Sequence, residues 1–95
     1  MPMNKSLFEP GDIVQHFKRE TISNPQSNDY LYEIVGKAKH TETGEELMIY
    51  RALYGEKELY ARPLKMFYSQ VDKEKYPHIK QVYRFTEYRG RIFIE

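Results

Sequence analysis

The chain has 95 residues, with 15 lysines and arginines against 14 aspartates and glutamates, so its formal net charge is +1. That length fits one domain around one small core. Proteins that bind the phosphate backbone of nucleic acids usually carry a clear excess of positive charge. Nucleic-acid binding is therefore the weakest of the functions considered for this chain.

Cysteine is absent, which removes disulfides as a means of stabilising a small secreted domain. The first residues lack the apolar run of a signal peptide. No stretch approaches the roughly 20 apolar residues that a membrane-spanning helix needs. We therefore expect a cytoplasmic protein with no membrane association.

Alternating apolar residues, bounded by turn signals, predict five short strands. They are predicted at residues 13–17, 30–40, 47–54, 59–63 and 79–88. Gly36, inside the second strand, indicates a bulge or a bend. Pro63, followed by apolar residues at three- and four-residue spacing, predicts one or two helical turns over 63–71.

Three segments outside these strands raise separate questions. Residues 19–29 form a loop of unusual length, a class that is often functional or poorly ordered. Residues 40–46, "HTETGEE", place Gly44 where a hairpin needs positive φ, which predicts a turn and not a reactive loop. The segment 90–95 is predicted either as a sixth strand or as a tail that pairs with a second copy. Gly90 favours folding back within the chain, and the expected state is a monomer or a weak homodimer.

The stretches "GDIVQHFK", "AKHTETGEELMIYRALYG" and "LYARPLKMF" together resemble the domain of unknown function 1653 family of small, mostly bacterial proteins. The resemblance runs from Gly11 to Phe67, although the 19–29 loop is longer than the usual link in that family. It implies an SH3-like barrel and no known activity. With the strand pattern, it predicts a mainly all-β single domain over residues 1–95. The expected architecture is a small SH3-like barrel or roll of five to six antiparallel strands with one short helical turn.

A binding surface is the preferred functional hypothesis. Tyr50 and Tyr54 share one face of the third predicted strand, and Tyr60 and Arg62 share one face of the fourth. If these faces coincide, aromatic rings and a guanidinium lie together, a composition that protein interfaces favour. This predicts a module that binds a peptide or protein partner. The competing interpretation is that these tyrosines fill the core of a domain that lacks tryptophan.

An enzyme is the alternative from a different class. His16 and His40 each end a predicted strand, so both could lie near one rim of a barrel with Glu42. Two imidazoles and a carboxylate can hold a metal ion, and the same groups can act as acid and base. The spacing matches no known metal motif, and a histidine at a strand end is expected more often to bond a turn. We therefore assign no catalytic residue, metal site or cofactor.

Overall fold

The computed structural model describes residues 7–94. Its elements are β1 (Ile13–His16), a 3-10 helix (Phe17–Thr21), β2 (Leu31–Lys39), β3 (Glu46–Ala52), β4 (Leu59–Pro63), α1 (Leu64–Phe67) and β5 (Phe85–Glu87). The strands form one antiparallel sheet in the order β4-β3-β2-β1-β5. The predicted all-β class, the five strands and the short helical turn are confirmed. No helix in the described part of the chain is long and apolar enough to cross a membrane.

The sheet is open. Its strands pair as β4 with β3, β3 with β2, β2 with β1 and β1 with β5. Within residues 7–94, no pairing joins β4 to β5, so a closed barrel is not confirmed. The sheet nevertheless curls. Its two edges come close enough for the Arg62 guanidinium on β4 to lie 6.0 Å from the ring centroid of Phe85 on β5. Side chains, and not backbone hydrogen bonds, therefore bridge the two edges.

The core lies on the concave face of this sheet. Alternation buries Met48, Tyr50 and Ala52 on β3. Phe67 of α1 stacks on Phe85 of β5, with ring centroids 4.1 Å apart and planes 6° apart. This stacked pair fills the space where β4 and β5 do not meet. The largest fully buried side chains are Phe67, Phe85, Leu31, Ile34, Met48 and Val14.

The irregularity expected at Gly36 is present. The pairing register between β2 and β3 shifts between Ile34 and Gly36, so Val35 is the additional residue of a bulge. Ile34 on one side of the bulge is buried, and Val35 is exposed. The bulge therefore keeps the apolar residues before it on the core face.

The fifth strand is much shorter than the predicted 79–88, because the residues before it bond the backbone that follows α1 and the side chain of Glu20. The Glu20 carboxylate accepts hydrogen bonds from the N–H groups of Lys80 (2.9 Å) and Gln81 (2.7 Å). The Gln81 side-chain amide donates to the carbonyls of Tyr83 (2.8 Å) and Arg84 (3.3 Å). The N–H of Arg84 donates to the Ser69 carbonyl (2.8 Å), in the segment that follows α1, so β5 begins only at Phe85.

The 19–29 loop is tied to itself and to the end of the chain. The Arg19 guanidinium donates to the carbonyls of Asp29 (2.6 Å) and Pro25 (3.3 Å). The Asn28 side chain, only 2% exposed, accepts from the Phe93 N–H (2.8 Å) and donates to the Phe93 carbonyl (2.6 Å). The final segment thus folds back within the chain, but onto a side chain and not as a sixth strand. Glu95 lies outside the described residues.

Replacing Asn28 with alanine is expected to cost about 1 kcal/mol of unfolding free energy, because two hydrogen bonds to the Phe93 backbone are lost. Amide exchange at Phe93 is expected to accelerate, which hydrogen-exchange NMR measures directly. Asn24→Ala is the matched control, since Asn24 is exposed and caps only a local turn. Unchanged protection of the Phe93 amide in the Asn28 variant would contradict this anchoring.

Gly44 adopts φ of +76°, as its place in the turn predicts. The turn is closed by the His40 N–H on the Glu45 carbonyl (2.8 Å) and the Gly44 N–H on the His40 carbonyl (2.9 Å). No atom lies within 4 Å of a Cβ built at Gly44, so a side chain there meets only backbone strain.

Gly44→Ala is therefore expected to lower the unfolding free energy by about 1 kcal/mol, which chemical denaturation measures. Gly44→Asn should cost less, because asparagine tolerates the left-handed conformation. Equal stability of the alanine variant and the parent protein would count against the strain.

Candidate functional site

A pocket of about 290 Å³ opens beside the gap between β4 and the segment that leads into β5. Its charged lining comprises Lys18, Arg62, Lys75 and Arg84, together with the carboxylate of Asp72. With four cations and one carboxylate, the lining carries three net positive charges. We call this site the basic pocket. Within residues 7–94, none of these charged groups forms a salt bridge.

Arg62 reaches the basic pocket from the edge strand β4. Its Nε donates a hydrogen bond to the Tyr50 hydroxyl (3.1 Å), and Tyr50 itself is buried. In the described part of the chain, the terminal amino groups of Arg62 have no protein acceptor. The buried tyrosine therefore fixes the direction of the guanidinium and leaves its outer donors available.

Arg84 approaches from the other edge, one residue before β5. Its Nε donates to the Met66 carbonyl and to the Ser69 hydroxyl, both at 3.2 Å. As with Arg62, its terminal amino groups have no acceptor among residues 7–94. Burial, and then the positive charge of Arg62, lower the pKa of Arg84 from its ordinary value. The two guanidiniums thus lie close enough to repel each other.

The rings of Tyr76 and Phe17, which we call the aromatic wall, lie beside the two lysines of the pocket. The ammonium groups of Lys18 and Lys75 lie 6.0 Å and 5.6 Å from the ring centroid of Tyr76. That ring in turn packs edge-on against Phe17 at 4.8 Å. Asp72 does not pair with the lysines; its Oδ1 accepts the N–H groups that follow it in the turn, including that of Lys75 (3.3 Å). The Asp72 carboxylate therefore holds the backbone of the loop that carries Lys75 and Tyr76, and it forms no ion pair with the Lys75 ammonium group.

His16 forms the floor of the basic pocket and is 9% exposed. Its Nδ1 accepts a hydrogen bond from the Lys18 N–H (3.0 Å), so the neutral ring carries its proton on Nε2. Burial, followed by the charges of Arg84, Arg62 and Lys18, lowers the pKa of His16 from 6.5 to about 4. At neutral pH, His16 is therefore an uncharged hydrogen-bond donor.

The structure brings together part of the predicted aromatic and arginine surface. Arg62 bonds Tyr50, and the Tyr60 ring lies 5.8 Å from that of Tyr50. Tyr60 is exposed, whereas Tyr50 belongs to the core. Tyr54 is half-buried, and its hydroxyl lies 2.7 Å from that of Tyr32. Among the four predicted residues, Arg62 lines the basic pocket, Tyr50 supports it, and Tyr60 and Tyr54 do not line it.

His40 and Glu42 lie far from His16. The His16 N–H bonds the Tyr30 carbonyl at the beginning of β2, whereas His40 follows the last residue of that strand. Nine residues of strand separate the two ends by roughly 30 Å. His16 therefore does not share one rim of the sheet with His40 and Glu42, as the enzyme hypothesis requires. Within residues 7–94, no cluster of three or more histidine, cysteine or acidic side chains is suited to a metal ion.

His40 has a structural role instead. Its Nδ1 accepts hydrogen bonds from the N–H groups of Glu42 (3.1 Å) and Thr43 (3.4 Å). The ring thus caps the turn between β2 and β3, in agreement with the interpretation that a histidine at a strand end bonds a turn.

Sequence reasoning identified Arg62 but missed the other three cations and the aromatic wall. Lys75 and Tyr76 belong to the charged stretch "DKEKYPH", which has the composition of an exposed loop. Arg84 lies in a segment predicted as ordinary strand. A local signal existed only at Lys18, two residues after His16, because the rest come together through the curvature of the sheet.

Comparison with known proteins finds no match to a curated protein and none to a solved structure. A family model described as "Protein of unknown function (DUF1653)" matches residues 12–87 of the 95-residue chain. The matched range contains all five strands and every residue that lines the basic pocket. The chain therefore belongs to the DUF1653 family of proteins of unknown function.

Proposed function

We propose that this domain is a non-enzymatic binding module that holds an anionic group of its ligand in the basic pocket. The observation that carries the proposal is the pair of guanidiniums, Arg62 and Arg84. Each is anchored through Nε, and each presents its terminal amino groups without a protein acceptor in residues 7–94. Anchored arginines of this kind recognise oxyanions through paired N–H donors.

Preorganisation supports binding at this pocket. A free arginine side chain loses rotamer freedom when it binds, whereas these two are already held by Tyr50 and by the Met66–Ser69 segment. The mutual repulsion of Arg62 and Arg84 is relieved when an anion lies between them. The free protein is therefore electrostatically frustrated at this point, and a bound anion removes the frustration.

We assign the anionic group to a peptide or protein partner, the class predicted from the sequence. Arg62 lies on β4, whose outer edge has no pairing strand in the described part of the chain. An extended peptide can add to such an edge through backbone hydrogen bonds. Tyr60, exposed on the same strand, adds aromatic contact area beside Arg62. A compact pocket and a net charge of +1 fit this partner better than a nucleic acid.

The proposal is tested by titrating the protein, labelled with 15N, with sodium acetate and with sodium phosphate at constant ionic strength. Saturable shifts are expected at the side-chain Nε–H signals of Arg62 and Arg84 and at the ring of His16. Arg84→Gln should remove them, whereas Arg51→Gln on the exposed side of β3 should not. Added sodium chloride should weaken the binding, because salt screens partly exposed charges. Failure of both anions to give saturable shifts would overturn the proposal.

A further inference from the structure

We infer that the anionic group taken by the basic pocket is a phosphate monoester. The inference rests on the proposed function, since it names the chemical class bound at the same site. Three features of the basic pocket favour this class: the number of its donors, its net positive charge and the uncharged donor His16.

The terminal amino groups of Arg62 and Arg84, together with the Nε2–H of His16, outnumber the roughly four lone-pair sites of a carboxylate. One arginine satisfies a carboxylate through two parallel N–H···O bonds. The basic pocket instead offers two guanidiniums, Arg62 and Arg84, each with both terminal amino groups unpartnered in residues 7–94. A phosphate monoester presents three terminal oxygens, so it can accept from both arginines at once and still bond a third donor.

The charge of the pocket also favours a phosphate monoester. Four cations and one carboxylate leave three positive charges around a volume of about 290 Å³. A phosphate monoester carries about −1.5 to −2 at pH 7, whereas a carboxylate or a phosphodiester carries a single negative charge. Since a ligand with more negative charge offsets more of the repulsion among the pocket cations, the monoester relieves more of it than either alternative.

His16 provides the additional donor. Its Nδ1 is occupied by the Lys18 N–H, which leaves Nε2–H as the only hydrogen that the neutral ring can donate. The ring lies among the positive groups of Lys18, Arg62 and Arg84 and lines the pocket. If a phosphate oxygen accepts from Nε2–H, three donor side chains, Arg62, Arg84 and His16, serve the three terminal oxygens.

The aromatic wall accounts for the organic part of the ligand. Tyr76 and Phe17 place ring surface next to the ammonium groups of Lys18 and Lys75. The pocket volume exceeds what an inorganic phosphate fills, so carbon atoms attached to the ester oxygen can pack on this wall. Two sources supply such a group: a phosphorylated side chain of a protein, and a small phosphorylated metabolite.

The test uses three ligands that share a phenyl ring: phenyl phosphate, methyl phenyl phosphate and benzoate. Calorimetry on the full chain at pH 7.5 should show phenyl phosphate binding at least about tenfold more tightly than the diester or the carboxylate. Arg84→Lys, which keeps the charge but removes the paired donors, should weaken phenyl phosphate binding by about tenfold or more. Arg62→Lys is a second variant, and Arg51→Lys is the matched control that should bind as the parent protein does.

Phosphorus NMR gives a readout that does not depend on affinity. The second pKa of phenyl phosphate, about 6 for a phosphate monoester, should fall in the complex because the pocket cations favour the dianion. Melting temperatures of the variants, compared with that of the parent protein, identify any loss of folding. If one arginine variant does not fold, the NMR titration of the parent protein still decides the inference.

The failures of the two proposals can be told apart. If benzoate or the diester binds as tightly as phenyl phosphate and Arg84→Lys weakens it, anion binding stands and the monoester inference is overturned. If no probe binds, both are overturned. Two further probes distinguish the sources: equal affinity for glycerol phosphate and for a Gly-phosphoserine-Gly peptide supports a small metabolite, and tighter peptide binding supports a phosphoprotein. An unphosphorylated peptide that binds equally well would overturn the inference.

Discussion

Phe85→Ala is expected to lower the free energy of unfolding by about 3–5 kcal/mol, the range for removing a buried phenylalanine ring. Phe85 is 1% exposed, stacks on Phe67 at 4.1 Å and meets the Tyr50 ring edge-on at 5.4 Å. The ring fills the gap between β4 and β5, where no backbone pairing can close over the cavity that alanine leaves. Small domains have only about 5–15 kcal/mol of stability in total, so much of this one would be lost.

Urea denaturation followed by circular dichroism measures this effect. Leu59→Ala is the control, because Leu59 is 52% exposed on the edge strand and its loss should cost less than about 0.5 kcal/mol. Phe85→Leu, which leaves a smaller cavity, should fall between the two. Equal denaturation midpoints for Phe85→Ala and Leu59→Ala would refute the assignment of Phe85 as the central core residue.

The second large effect is a pH dependence of stability that originates at His16. The pKa of His16 is about 4 in the folded protein and 6.5 when unfolded, because burial and the charges of Arg84, Arg62 and Lys18 disfavour the protonated ring. Between pH 6.5 and pH 4, the unfolded chain therefore binds more protons than the folded one. The contribution of the neutral His16 ring to the free energy of unfolding is fully present above pH 6.5 and is lost as the pH falls toward 4. The loss over that window is about 2–3 kcal/mol, since one pKa unit corresponds to about 1.4 kcal/mol and solvent screens part of the repulsion.

Thermal or urea unfolding of the parent protein and of His16→Gln at pH 7, 6 and 5 measures this contribution. The difference between the two curves isolates His16 from the carboxylates that titrate in the same range. His16→Gln should show the flatter dependence, and His78→Gln, which changes an exposed histidine, should keep the full dependence. Parallel curves for the parent protein and the His16 variant would show that the buried ring does not titrate as described.

A bound anion should reduce the loss of stability that His16 causes below pH 6.5. An anion in the basic pocket offsets the charges of Lys18, Arg62 and Arg84 that hold the pKa of His16 low. With sodium phosphate present, the stability loss of the parent protein below pH 6.5 should therefore be smaller than in sodium chloride of equal ionic strength. The same comparison with Arg84→Gln should show a smaller difference between the two salts.

Short-range patterns in the chain were enough to predict the strands with clear alternation and the turns that need glycine. β1 follows from Val14 and His16 facing inward, and β3 from the buried Met48 and Tyr50. The turn at Gly44 follows because few residues other than glycine adopt positive φ without strain. These features depend on neighbouring residues only, so the order of residues was enough to predict them.

Where the sheet ends, and which side chains meet at its open edges, depends on contacts between residues far apart in the chain. β5 is short because Glu20 bonds the Lys80 and Gln81 backbone and because residues 82–84 pair with residues 69–71, contacts that no local pattern indicates. The basic pocket joins Arg62 and Arg84 because the sheet curls without closing, which no local pattern encodes. Alternation assigns a side chain to a face, but the distance between two faces depends on the twist of the whole sheet and on the packing within it.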